Sequence, residues 1–175
     1  LIKMFKECPH SYFNSGPRSS GLKCKLDQDL IEIKGHEVSN LAKIGGETNF
    51  LRYNTAHSRV QVFMLENDKT TIATEVPIWL TKDELNTNFI KIDQPLTGHI
   101  DLLRIEDGNI WVWDYKPDAA DEKYAATQVY FYALMLSKRT GIDLNKFKCG
   151  YFDEDVAYMF KPRKDILKGK LPNFF

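Results

Sequence analysis

Two apolar runs separated by Glu106-Asp107-Gly108-Asn109 constrain this chain more than any other feature. The run Gly98 to Ile105 is apolar at Ile100, Leu102, Leu103 and Ile105, and the run Ile110 to Tyr115 opens with Ile-Trp-Val-Trp. An Asp-Gly pair between such runs is the strongest short-range signal for a β-hairpin. In an antiparallel pair closed by so short a loop, residues at similar distances from the turn lie side by side, which puts Asp101 beside Asp114. The second strand is apolar on both faces before Asp114, so it is expected to be central and buried. Charges seldom end a buried strand without a partner.

Side chains alternate along a strand, so Asp114 and Lys116 project together while Tyr115 points away. Two adjacent carboxylates repel, a cost that a divalent cation removes. Oxygen-only ligation favours a hard ion, Mg2+ or Mn2+, over zinc. Lys116 is placed to orient or deprotonate an attacking water and to offset charge on a phosphate. An isolated Asp-x-Lys is more often a solvated strand end, and the buried strand before it is what raises its weight here. A helix is expected over Ala119 to Lys138, acidic at its start, basic at its end and stopped by Gly141. Gln128 and Tyr132, four residues apart, share one face of it. Alone they would more often be a surface pair, but this helix follows the acid-bearing strand directly.

Gly98-x-x-Asp101, Asp114-x-Lys116 and Gln128-x-x-x-Tyr132, in that order, resemble the motifs of the PD-(D/E)XK nuclease superfamily, and within it the RecB-type exonuclease branch. The resemblance covers roughly residues 71–160. It implies an α/β, restriction-endonuclease-like core with a central mixed sheet flanked by helices. It implies Mg2+ or Mn2+ held by Asp101, Asp114 and the backbone carbonyl of Tyr115, with Lys116 as the catalytic lysine. Gln128 and Tyr132 would be the DNA-contacting pair of an exonuclease acting in DNA repair, recombination or replication.

Upstream the pattern departs from that branch. A glycine followed four residues later by a metal-binding histidine is expected on the first core helix, and Gly35 is followed there by Ser39. Either that histidine is missing, or His36 or Glu37 takes its role. His99, which shares a strand face with Asp101, is another candidate. Glu75, in the strand Thr74 to Trp79, would complete the metal site or hold the lysine; a solvated strand residue is the equal alternative. His10 and His57 lie in segments without a partner pattern and read as surface or structural. A non-catalytic nucleic-acid-binding or assembly module on the same fold is the rival reading, favoured if Ser39 marks a decayed site and opposed by intact Asp101, Asp114 and Lys116. An unrelated α/β protein with a chance Asp-x-Lys is a third.

The 175 residues fit a single domain with a substantial core, residues 1–28 being mobile or accessory and residues 161–175 a basic tail. Formal charge is zero, so nothing global announces a nucleic-acid binder. Basic residues do gather at Lys3, Lys6, Arg18, Lys23 and Lys25, and again at Lys161, Arg163, Lys164, Lys168 and Lys170. Local clusters suffice to hold phosphates, though a charge run is more often solvated surface. Cys8, Cys24 and Cys149 are odd in number and widely spaced, which favours an intracellular, reducing location. They cannot supply the four ligands of the iron-sulfur cluster found in some relatives of the branch, so no cluster is expected. No apolar run reaches membrane-spanning length. The chain opens at Leu1 without a Met, so residues upstream are expected to have been lost or trimmed.

The remaining elements are expected as a helix over Asp29 to Ile44 ended by Gly45-Gly46, an irregular or helical stretch to Ser58, and strands at Val60 to Leu65 and Thr71 to Leu80. A final hairpin, Lys146 to Phe152 and Ala157 to Lys161, turns at Asp153-Glu154-Asp155.

Overall fold

Asp107 and Gly108 both take the left-handed backbone, with φ of 48° and 71°, and so close a two-residue turn whose twist matches the strands on either side. The strands it joins are β3 (Leu96–Glu106) and β4 (Asn109–Tyr115), paired antiparallel. With β1 (Ile31–Lys34), β2 (Thr71–Leu80), β5 (Phe147–Phe152) and β6 (Val156–Phe160) they form one six-stranded sheet in the order β1-β6-β5-β4-β3-β2. The computed structural model describes residues 1–85 and 94–168. Only the β4–β5 pair is parallel among these neighbours, so the sheet is mixed, and β4 is interior as its two-sided apolar pattern requires.

Parallel neighbours need a crossover, and the helix between β4 and β5 supplies it. The short helices α1 (Ile2–Lys6) and α2 (His10–Ser15) open the chain, α3 (Glu37–Thr48) and α4 (Ala56–Asn67) follow β1, α5 (Lys82–Leu85) follows β2, and α6 (Ala125–Thr140) is that crossover. The strands divide their apolar side chains between two layers. Ile100, Leu103 and Val112 pack with Val129, Phe131 and Ala133 of α6, while Leu102, Trp113 and Tyr115 pack with Val38, Ala42, Val60 and Met64 of α3 and α4. The result is a mixed sheet flanked by helices on both faces, the architecture expected from sequence.

Four readings differ from expectation. The helix read over Asp29 to Ile44 is instead the strand β1, a turn at Gly35, and the helix α3, whose start is capped by His36 Nδ1 accepting the Val38 N–H at 3.2 Å. Ile31-Glu32-Ile33 alternates as a strand should, and its pairing with β6 overrides local helix propensity. Nor does Gly45-Gly46 end α3. A Cβ on Gly45 would lie 2.8 Å from Phe63 Cβ, so this glycine is the notch that lets α3 and α4 approach. The strand read at Val60 to Leu65 lies inside α4, where Thr55 Oγ1 caps the start by accepting the Ser58 N–H, and Val60 and Met64 are buried one turn apart. Lastly, α6 begins at Ala125, because Ala119–Asp121 forms a 3-10 turn.

The first 28 residues contribute Met4, Leu22, Cys24 and Leu26 to the core. Thr127 of α6 fastens them, donating its hydroxyl to the Cys24 carbonyl at 2.7 Å and accepting the Leu26 N–H at 3.1 Å. On the opposite side Arg104 of β3, wholly buried, holds Asp68 and Glu37 at 2.9 Å each and ties the ends of α3 and α4 to the sheet. Of the basic tail, Arg163 pairs with Asp165 at 3.1 Å and Lys164 with Asp143 at 2.5 Å; Lys170 lies outside the described residues. Among the described residues no helix is long and apolar enough to cross a membrane.

Candidate metal centre

Leu102 stands opposite Trp113 in the β3–β4 ladder, and one residue further from the turn the same register brings Asp101 to Asp114. Asp114 is also paired through its backbone to Tyr151 of β5, so its carboxylate leaves the middle of the sheet and is only 1% exposed. Asp101 is 8% exposed, and its Oδ2 accepts the Tyr115 N–H at 2.9 Å. Lys116 Nζ lies 2.8 Å from Asp114 Oδ2. On the other oxygen, Gln128 Nε2 approaches Asp114 Oδ1 at 3.4 Å while donating to the Tyr132 hydroxyl at 2.6 Å. The structure therefore brings together Asp101, Asp114, Lys116, Gln128 and Tyr132, which line one cavity of about 190 Å³.

The electrostatics follow from this crowding. Burial first, and then the neighbouring Asp114 carboxylate, push Asp101 well above the usual carboxylate range. Burial raises Asp114 too, against the opposing pull of Lys116. For Lys116, burial alone would favour the neutral amine, but Asp114 and then Asp101 outweigh it and hold the ammonium above its ordinary value. Tyr132 is pushed up by burial and by Asp114, so its hydroxyl stays protonated.

Glu75 reaches the same cavity by an unusual route. Thr74 pairs with Leu102 and Val76 with Ile100, and between them Glu75 takes a φ of 51°, a left-handed residue within an extended strand. Such a backbone costs on the order of 1–3 kcal/mol and persists where its surroundings over-determine it. Gln61, buried on α4, does so by donating Nε2 to Glu75 Oε1 at 2.6 Å. His99 also lines the cavity, its ring 5.0 Å from that of Phe13, and burial lowers its pKa.

The upstream candidates fare differently. His36 caps α3 and packs its ring 5.5 Å from Trp113; it lines a separate cavity with Trp111 and Lys148. Glu37 is taken up by Arg104, and Ser39 is wholly buried on α3; neither lines the cavity of Asp101. His57, read from sequence as surface or structural, lines the same cavity. It sits in the first turn of α4 with Nε2 3.8 Å from Asp101 Oδ2 and its ring edge-on to Tyr115. The local signal was Thr55, whose cap fixes the first turn of α4 and thereby the direction of His57. His10 begins α2 and is exposed, as expected. Arg18 and Ser20 also line the cavity, from a segment that sequence reading treated as accessory.

Among the described residues no group of three or more His, Cys, Asp or Glu side chains is gathered closely enough to hold a metal ion by itself. Two carboxylates are nevertheless a fitting start for a hard cation, which takes its other ligands from backbone carbonyls, water and substrate oxygens. Asp114 Oδ2 supports the fit. It is buried without a well-directed hydrogen-bond donor, although the Lys116 ammonium lies 2.8 Å away.

The model of one protein family, described as the PD-(D/E)XK nuclease superfamily, matches residues 37–165, well over half of the chain. No curated protein sequence matches. Among solved structures, one described as "Crystal structure of SSO0001" is similar with a TM-score of 0.43 and 14% identity, over 75% of this chain and 69% of that one. A likeness of that size adds no argument about activity.

Proposed function

This chain belongs to the PD-(D/E)XK nuclease superfamily, and on that premise we propose that it is a divalent-metal-dependent deoxyribonuclease of the RecB-type branch, hydrolysing phosphodiester bonds as an exonuclease in DNA repair, recombination or replication. The observation that carries this reading is the buried pair Asp101 and Asp114 with Lys116 at 2.8 Å and Gln128 behind.

Asp101 and Asp114 would hold Mg2+ or Mn2+ together with the Tyr115 carbonyl, with Glu75, His57 or His99 as further candidates. When bound, that ion would neutralise charge at the phosphate and lower the pKa of a water so that, once deprotonated, it can attack. The rest falls to this chain's own side chains. Asp101 is fixed by the Tyr115 N–H, so its free oxygen keeps its aim without reorganisation. Lys116, held 2.8 Å from Asp114, would orient or deprotonate the attacking water and offset charge on the phosphate. Gln128 and Tyr132 fix the Asp114 carboxylate, and their edges reach the cavity, where a DNA strand would meet them.

The test is incubation of end-labelled linear DNA and of circular DNA with Mg2+, Mn2+ or excess chelator. The proposal expects metal-dependent release of nucleotides from the linear substrate with the circle spared. Cleavage of the circle would replace exonuclease by endonuclease, and cleavage in chelator would remove the metal-dependent reading altogether.

A further inference from the structure

Charge in the catalytic cavity is arranged against the anion it is read to receive. Glu75, Asp101 and Asp114 all line it, and Lys116, 2.8 Å from Asp114, serves the scissile phosphate beside those acids. Beyond the metal ion and Lys116 at the reacting phosphate, a strand entering past three carboxylates gains from a further unpaired cation, carried on a backbone that does not have to be ordered at the moment of binding.

Arg18 answers both needs. Its side chain lines the cavity and is exposed, and it makes no ion pair among the described residues. Its backbone is pinned on both sides. Before it, the Pro17 carbonyl accepts the Thr97 N–H of β3 at 3.0 Å, and Arg18 itself bridges Thr97. After it, the Gly21 N–H donates to the Arg18 carbonyl at 2.9 Å, and Leu22 is buried in the core. Thr97 lies in β3, the strand that carries Asp101 four residues later, so the Arg18 backbone is anchored to the same element as the metal-binding acid. A free, long cation on an immobilised backbone at the mouth of an acidic cavity is poor design for stability and suitable for binding an anion.

Resting on the nuclease reading for its substrate, we propose that Arg18 is a phosphate-binding residue of this site, pairing its guanidinium fork with the non-bridging oxygens of a nucleic-acid phosphodiester as the strand enters the cavity. The fork matches two phosphate oxygens at once, which a lysine ammonium does not. Residues 16–22 are then a working wall of the site rather than an accessory.

The experiment compares the whole chain with Arg18→Ala and Arg18→Lys. It measures binding of a labelled oligonucleotide in Ca2+ across a salt series, cleavage in Mg2+ or Mn2+, Mn2+ affinity, and melting temperature. Arg18→Ala is expected to weaken oligonucleotide binding about tenfold and to reduce the salt slope of binding by about one, leaving metal affinity and melting temperature unchanged. Arg18→Lys should keep the salt slope and recover only part of the affinity. Unchanged binding and slope in Arg18→Ala, with the wild type cleaving normally, overturn the role of Arg18 and leave the nuclease reading standing. A wild type that binds the oligonucleotide through Arg18 yet never cleaves overturns the nuclease reading and leaves Arg18 as a phosphate-binding residue. A wild type that neither binds nor cleaves overturns both.

Discussion

Gly98 and Tyr132 are packed so closely that a Cβ on the glycine would lie 2.4 Å from the tyrosine ring carbon Cε1. The first motif, Gly98-x-x-Asp101, and the third, Gln128-x-x-x-Tyr132, are thus two sides of one contact. The glycine leaves room for the ring, the ring hydroxyl accepts from Gln128, and Gln128 reaches the carboxylate of Asp114. Because Tyr132 is only 4% exposed, its ring has nowhere to retreat.

Gly98→Ala should therefore cost about 1–3 kcal/mol of stability through overpacking, and should lower activity by displacing Tyr132 from Gln128. Thermal melts and cleavage rates of the variant check both. A stable variant with full activity would show that the close approach is incidental.

Removing either acid should abolish metal binding and cleavage together, whereas Lys116→Ala should leave the metal bound and cut turnover by orders of magnitude. Metal titration alongside single-turnover rates separates the two classes. Wild-type rates in Lys116→Ala would defeat its proposed part in orienting water.

The carboxylate pair also sets a pH dependence whose sign can be worked out. Asp101 has a folded-state pKa well above its unfolded value of about 3.9, so in chelator the folded protein holds a proton more tightly than the unfolded chain. The stability this supplies is fully present below the unfolded pKa and is lost as pH rises through the folded one. Asp101→Asn, which keeps the shape and cannot ionise, should melt higher than wild type in chelator, by a margin that grows with rising pH across that window. A margin independent of pH would contradict the raised pKa that burial, and then Asp114, give Asp101.

What could be read in advance follows from how local each signal is. The β3–β4 hairpin was legible because turn chemistry, periodicity and register all agree within about twenty residues, and the crossover helix ends at Gly141 as its chemistry demands. Between Asp29 and Leu65 local and tertiary preferences conflict. Ile31-Glu32-Ile33 becomes a strand only by pairing with β6, and the valines of α4 resemble a strand until their burial against the sheet is known. Gly45 looks like a helix stop and acts as a packing notch. The Asp101–Asp114 pair was visible through register and Glu75 was a candidate from its strand, but His57 and Arg18 come to the cavity by tertiary contact, from elements whose sequence carries no chemical spacing.

The Gln128–Tyr132 pair can be separated from ordinary core. Tyr132→Phe keeps the ring and loses the hydroxyl that accepts from Gln128, so it should cost about 1 kcal/mol while lowering cleavage more than tenfold through a loosened Asp114. Tyr132→Ala removes a buried ring and should cost roughly 3–5 kcal/mol. Tyr132→Phe and Gln128→Ala with unchanged cleavage would sink the RecB-type assignment, although a metal nuclease of another branch would survive.

The two upstream histidines offer the sharpest contrast between sequence spacing and folded geometry. His36 follows directly on Gly35, where the resemblance directs attention, yet its Nδ1 is occupied by the Val38 N–H and its ring faces Trp113. His57 has no such spacing, yet its Nε2 stands 3.8 Å from Asp101 Oδ2, beyond hydrogen-bond range but close enough for both to face one ion. His57→Ala should then weaken Mn2+ binding about tenfold or more, with little loss of stability because its side chain is 42% exposed. His36→Ala should do the reverse, leaving metal affinity intact and costing about 1 kcal/mol through loss of the helix cap. Isothermal titration with Mn2+ and melting curves on both variants decide the matter: metal affinity that falls with His36 and not with His57 would return the upstream ligand to α3 and require the first turn of α4 to be structural.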